Sequence, residues 1–217
     1  MSLELRWFFL GQIRSDVEKW FQKDRFGKHL HQKMKRQDLY FPVKGADHLG
    51  VKLSRGKLDL KIRLDSQGVV GSKGEVKGVA EYWKKMSWAY SPTLKNDVWK
   101  AFSSIEFDDR IVVEKERFQR KFKIKNDSLE PIKVSERHEK ACALEITKLT
   151  VLSDAISERY WWTIALEVFG ETAEAYEHLH ESIDWVFKDY PEPKPQTEQT
   201  YAFPRWVLSF YEENRSG

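Results

Sequence analysis

A single cysteine, Cys142, excludes any disulfide within the chain and suits a reducing compartment, so a cytoplasmic location is expected, with Cys142 in the core. No apolar run is long enough to span a bilayer, and one residue in three is charged, which argues against a membrane protein. The opening stretch 1–16 breaks its apolar run at Glu4 and Arg6 and lacks a small-residue cleavage pattern, so no signal peptide is expected. Glycine is sparse where a nucleotide loop would need it. Gly68, Gly71, Gly74 and Gly78 match neither the P-loop nor the dinucleotide fingerprint and read as a flexible loop. A large charge of one sign is missing too: 37 basic against 34 acidic residues leave +3, too little to announce a nucleic-acid binder by total.

What is present is ample core, with 41% hydrophobic residues, and strand-like alternation. Residues 1–190 read as one domain, followed over 191–217 by a polar linker and a tail that docks back. Residues 2–10 alternate Ser2, Glu4 and Arg6 with Leu3, Leu5 and Trp7; an amphipathic helix over 13–21 carries Ile13, Val17, Trp20 and Phe21. A strand over 36–43 precedes a hairpin, 48–55 with 58–64, turning at Gly56 and placing Asp59, Lys61 and Arg63 opposite Leu58, Leu60 and Ile62. Residues 66–74 read as a loop, and 80–89 as a strand with Glu81, Trp83, Lys85 and Ser87 on one face. A short helix is expected over 96–102, then a long strand over 110–124 with Lys115, Arg117, Gln119 and Lys121 sharing a side, and a turn at 126–128. Strands over 141–149 and 160–169, the second stopped by Gly170, precede a helix over 171–187 whose stripe is Ala175, Leu179, Ile183 and Val186.

Taken singly, each Lys or Arg on these strands reads as the wet face of a half-exposed sheet. Repetition over several strands points to a closed antiparallel barrel of the α+β class, greasy outside under helices and charged within. Crowded, desolvated cations repel unless an anion neutralises them, and phosphates suit because Arg engages their oxygens as a fork and Lys as a point charge. His29 with His31, and His178 with His180, share a strand-like spacing, but the second pair lies on the expected helix, where residues two apart diverge, so no metal site is expected there. Trp7, Trp88 and Trp162 fall on apolar faces, whereas Trp83 and Trp161 share polar ones and are the two placed near a ligand.

The order of motifs resembles the CYTH, or triphosphate tunnel metalloenzyme, family. The first strand reads Ser2-Leu3-Glu4-Leu5-Arg6 where that family has E-x-E-x-K; Lys52-Leu53-Ser54, Lys61-Ile62-Arg63 and Lys115-Glu116-Arg117 stand for its basic strands. The resemblance runs to about Gly170 and implies that Arg6, Lys52, Lys61, Arg63, Lys85, Lys115 and Arg117 grip the phosphates of a triphosphate or polyphosphate-type anion. It also implies a divalent metal, Mg²⁺ or Mn²⁺, on Glu4, Glu145 and Glu167. One member of each acidic pair is replaced, by Ser2, Thr147 or Ala165, which leaves room for one metal completed by phosphate and water. Arg6 cannot lose its proton, which closes any route through a neutral amine there. Two activities follow from the resemblance: metal-dependent hydrolysis of a triphosphate compound, or phosphate binding without turnover. An open basic sheet on a nucleic-acid backbone is the third reading.

Overall fold

Period-two alternation builds the strands, and the chain closes them into a ring. The structure is a computed structural model and describes residues 1–27, 30–72, 75–89, 110–125, 128–153, 156–169 and 172–215. Nine strands are described: β1 (Ser2–Leu10), β2 (Gln32–Phe41), β3 (Leu49–Ser54), β4 (Lys57–Gly71), β5 (Lys77–Ala89), β6 (Ile111–Lys125), β7 (Ser128–Ile132), β8 (Ala141–Ser153) and β9 (Ile156–Phe169). Three described helices flank them: α1 (Ser15–Phe21), α2 (Thr172–Phe187) and α3 (Phe203–Arg215). Antiparallel neighbours follow the order β2-β3-β4-β5-β1-β9-β8-β6, and β6 pairs back onto β2, so eight strands form a closed barrel. Closure gives every strand of the ring a neighbour on both sides. β7 is a short hairpin partner on the far part of β6.

The barrel is inverted in polarity relative to a ligand-free core. Leu3, Leu5 and Trp7 face outward and pack with Ile146, Ile164 and Val168 beneath Val17, Trp20 and Phe21 of α1 and Ala175, Leu179, Ile183 and Val186 of α2. Their burial supplies the main hydrophobic stabilisation, about 1.5–3 kcal/mol per large side chain. The expected stripe of α2 is fully buried, as is Cys142, whose thiol burial pushes up to about 12. Arg120, on the outward face of β6, donates to the carbonyls of Phe21, Phe26 and Gly27 at 2.9, 3.2 and 2.7 Å, tying down the end of α1 and the turn after it.

Three expectations are corrected. Residues 66–71 are strand rather than loop: Val69, Val70 and Gly71 pair with Val79, Gly78 and Lys77, and the irregular stretch is absorbed by bulges around Gly68, whose φ is +73°. Residues 191–199 are not a solvated linker, because Pro195 is buried, its carbonyl accepts from the Lys77 backbone N–H at 3.1 Å, and the Gln196 side chain donates to the Glu75 carbonyl. The strand read as 36–43 begins four residues earlier, at Gln32, and pairs with both β3 and β6. The expected helix over 96–102, the residues Asn126 and Asp127 of the expected turn, and Gly170 lie outside the described residues. The hairpin at Gly56 forms as read, with Arg55 and Gly56 both at positive φ, 48° and 73°, the twist-matched two-residue turn.

The tail shapes the site. β1 pairs with β5 only as far as Leu5; beyond it Thr200 bridges Trp7 and the Tyr201 N–H donates to the Arg6 carbonyl, so the tail takes over that edge and α3 enters the barrel. There Trp206, Val207 and Phe210 fill one end among Phe8, Val113, Leu149 and Val151. Two glycines permit it. A Cβ on Gly50 would stand 2.8 Å from Pro204 Cγ, and one on Gly78 would stand 2.6, 2.8 and 2.9 Å from Leu5, Thr200 and Trp7. Gly78→Val is therefore expected to cost about 1–3 kcal/mol by overpacking and to unseat the tail. Thermal unfolding and the rate of tryptic cleavage after Arg205 check this; unchanged values for both would show the seat to be loose.

Candidate functional site

Inside the barrel a cavity of about 290 Å³ is lined by Arg6, Arg36, Lys52, Lys61, Lys85, Lys115 and Arg117, with the carboxylates Glu4, Asp59, Glu145 and Glu167. Six strands deliver these cations, each from an inward-facing position. Trp83 lines the wall and holds the Lys61 amine 4.8 Å from its ring centroid. Phe203, first residue of α3, forms the floor: its ring stacks on Tyr40 at 5.9 Å and 12°, and the Lys115 amine sits 3.4 Å from its centroid. A larger concavity, about 490 Å³, crosses the outer face past Lys35, Gln37, Glu114 and Glu116, where interspersed charges of both signs leave no focused field.

The residues that stand where the resemblance expects second carboxylates each serve one of the carboxylates that remain, and only Thr147 serves its own pair's. Ala165 lies in register between Arg6 and Glu145, and its small side chain leaves the space across which Arg6 Nη1 reaches Glu145 Oε1 at 3.0 Å. Thr147 donates to the same oxygen at 2.9 Å, and Ser2 hydrogen-bonds Glu167. Arg117 approaches the other oxygen of Glu145 at 3.2 Å. Glu4 accepts from Lys61 at 2.5 Å and faces Glu167 directly across β1 and β9.

These pairings set the titration of the site. Glu145 is buried, which alone would raise it, but Arg6 and Arg117 hold it down to about 2. Burial and the neighbouring Glu4 push Glu167 up to about 7. The two act on stability in opposite senses. A depressed carboxyl stabilises fully above its ordinary value of 4.5 and loses that contribution as pH falls toward 2, on the order of 3 kcal/mol. A raised carboxyl costs stability as pH climbs from 4.5 toward 7, because the folded chain then holds a proton the unfolded chain has released. Melting temperature is therefore expected to drop below pH 4.5 in the native chain and much less in Glu145→Gln, while Glu167→Gln flattens the opposite slope; identical pH profiles for all three would contradict these environments.

The innermost group was not singled out in the sequence. Asp38 is shut off from solvent and accepts from Ser54 Oγ at 2.5 Å, Lys52 Nζ at 2.9 Å and Arg36 Nε at 3.1 Å, with Lys115 Nζ 3.3 Å away. The Lys115, Lys52 and Arg36 cations hold its carboxyl well below the usual range despite burial. Burial drives the Lys115 amine well below its ordinary value, with Asp38 opposing, and the amine donates to Tyr40 Oη at 2.5 Å. Asp59 gathers Lys85 at 2.9 Å and Lys52 at 3.8 Å. The alternation Arg36, Asp38, Tyr40 was the available signal; it marks one face of β2, which β6 meets only through long-range closure.

Of the expected phosphate ligands, six line the cavity. Arg63 does not, bridging Glu81 at 2.7 Å and Asp47 at 3.1 Å instead. Of the two tryptophans placed near a ligand, Trp83 lines the cavity, and Trp161 packs against Trp206 beneath it. The three glutamates assigned to a metal all face the cavity, yet among the described residues no three His, Cys, Asp or Glu side chains come together as a metal-holding set. Glu145 is taken up by two guanidiniums, so a three-glutamate site does not fit this arrangement; Glu4 and Glu167 alone form a carboxylate pair.

No family model matches the chain, and no curated protein matches it. Among solved structures it is similar to a conserved hypothetical protein from Pyrococcus furiosus, with 14% identity, TM-score 0.48 and coverage of 96% of this chain and 99% of that one. It is also similar to the PH1012 protein from Pyrococcus horikoshii, with 9% identity, TM-score 0.47 and coverage of 96% and 98%. The Pct1 RNA triphosphatase of S. pombe, solved in complex with the Spt5 CTD, shows 8% identity, TM-score 0.34 and coverage of 99% and 82%. At these identities and TM-scores they assign neither a family nor a reaction to this chain.

Proposed function

We propose that the barrel is a binding tunnel for a short phosphate chain of the triphosphate type. One observation carries this reading: seven basic side chains from six strands converge on a single cavity that holds four carboxylates. Such a cluster is costly without a polyanion, and phosphate oxygens are the acceptors that Arg forks and Lys ammonium groups engage best. The enclosed interior favours a short ligand over a nucleic-acid backbone, which needs an open track of phosphate contacts.

Metal-dependent hydrolysis is the second reading, favoured by the Glu4 and Glu167 pair at the cavity wall, which with phosphate oxygens and water would serve Mg²⁺ or Mn²⁺. Calorimetric titration with inorganic tripolyphosphate, alongside orthophosphate release with each metal, separates the readings. Saturable one-site binding supports the tunnel; metal-stimulated release lost in Glu167→Gln supports hydrolysis. Tight oligonucleotide binding that tripolyphosphate does not displace would overturn both.

A further inference from the structure

The charges of the cavity are not evenly spread. Arg6, which lies 4.9 Å over the Phe203 ring, and Arg117 share Glu145, Lys61 pairs with Glu4 and Lys85 with Asp59, and Glu167 adds a fourth carboxylate to these four cations. At the floor, Arg36, Lys52 and Lys115 share Asp38, and the one further carboxylate within reach is Asp59, 3.8 Å from Lys52 and already held by Lys85 at 2.9 Å. The uncompensated positive charge thus lies at the closed end, against the Phe203 and Tyr40 rings. Fully protonated, that trio exceeds its carboxylate by two charges in a place water scarcely reaches, where lack of a counter-ion is most costly.

Resting on the phosphate-chain reading, we propose that Arg36, Lys52 and Lys115, arrayed about Asp38, form the seat of a terminal phosphoryl group, so that a ligand enters end-first and must carry an unblocked end. A terminal phosphoryl brings close to two negative charges and three equivalent oxygens, which matches three cations with one shared carboxylate. An internal or esterified phosphoryl brings one charge and two free oxygens, and leaves one of the three cations unanswered. Nor can a chain run onward through the floor, because Trp206, Val207 and Phe210 fill the barrel behind Phe203. Asp38 is here a positioning residue: it holds three cations within one phosphate's reach while cancelling one charge.

Two probes of similar charge and different ends test this. Diphosphate has two terminal phosphoryl groups; cyclic trimetaphosphate has none, and both carry about three negative charges at neutral pH. Titrated into the full chain, diphosphate is expected to bind at least about tenfold more tightly, a difference of about 1.4 kcal/mol. Lys52→Met, whose side chain is partly accessible, should collapse that ratio toward one, whereas Arg117→Met should weaken both ligands alike and keep it. Equal affinity of the native chain for linear and cyclic probes, with tripolyphosphate still binding, overturns the terminal seat alone. Failure of tripolyphosphate to bind removes the phosphate-chain reading and the seat together.

Discussion

Asp38→Asn is expected to lower the melting temperature by roughly 10 °C at neutral pH. The carboxylate is fully buried and is the shared partner of Arg36, Lys52 and Lys115, so its neutralisation leaves three crowded cations with only Asp59, 3.8 Å from Lys52, in reach. Breaking a buried pair from one side costs about 3–5 kcal/mol, and in a chain of this length each kcal/mol moves the midpoint by about 2–4 °C. The sign with pH is fixed by the depressed carboxyl: the stabilisation is complete above its ordinary value of 3.8 and fades only as pH falls below it, so neutral pH reads the full effect. Ser54→Ala removes one hydrogen bond to the same carboxylate and should cost only about 1 kcal/mol. Tripolyphosphate should restore part of the loss in Asp38→Asn by taking the place of the missing anion. Thermal unfolding followed by circular dichroism gives the answer, and a midpoint within a degree or two of the native chain would show that the three cations do not depend on Asp38.

Lys115→Met has the opposite profile, little change in stability and a large loss in binding. Methionine fills the space of the buried lysine stem against Tyr40 and Phe203, and Asp38 keeps Arg36 and Lys52 as partners, so losing one of three crowded, desolvated cations leaves no buried charge unpaired. Affinity for tripolyphosphate should fall about 100-fold, near 3 kcal/mol, because the phosphate loses a charged donor in a dry site. A second signature separates this from general loosening. Since burial holds the Lys115 amine well below its ordinary value, an arriving polyanion raises it again and draws in a proton. Native binding should therefore tighten as pH falls, and titrations in buffers of different ionisation enthalpy should register proton uptake that the variant lacks. Unchanged affinity in Lys115→Met would remove Lys115 from the site.

Much of this architecture is legible in residue order because the strand period is two and exact register is not needed to see it. Glu4 and Arg6, Lys61, Lys85, and Lys115 with Arg117 alternate against apolar neighbours, and that alternation alone places them on one side of their strands. Arg63 shows the limit: it shares a face with Lys61, but the bulge following it re-aims that end of β4 toward Glu81 and Asp47. Asp38 was opaque for a different reason. An acidic residue in a basic stretch reads as a local charge partner, and its role appears only when β6, more than seventy residues on, closes against β2. Residues 191–199 were misread because composition reports solubility in isolation; here Lys77 and Glu75 supply backbone partners that composition cannot reveal. The departures from the resemblance at Ser2, Thr147 and Ala165 are visible in residue order, whereas the service of these side chains to Glu167, Glu145 and Arg6 depends on how the strands register.

The tail's course sets an order of events for the chain as it emerges from synthesis. β1 precedes its partners in the sequence, and past Leu5 those are β9 and Thr200, both far downstream, so that half of it stays unzipped until they have been made. Phe203 and Trp206 then have to slot into a ring already furnished with buried ammonium and guanidinium groups. Until that happens those groups remain hydrated, and the chamber that discriminates among anions does not yet have a bottom.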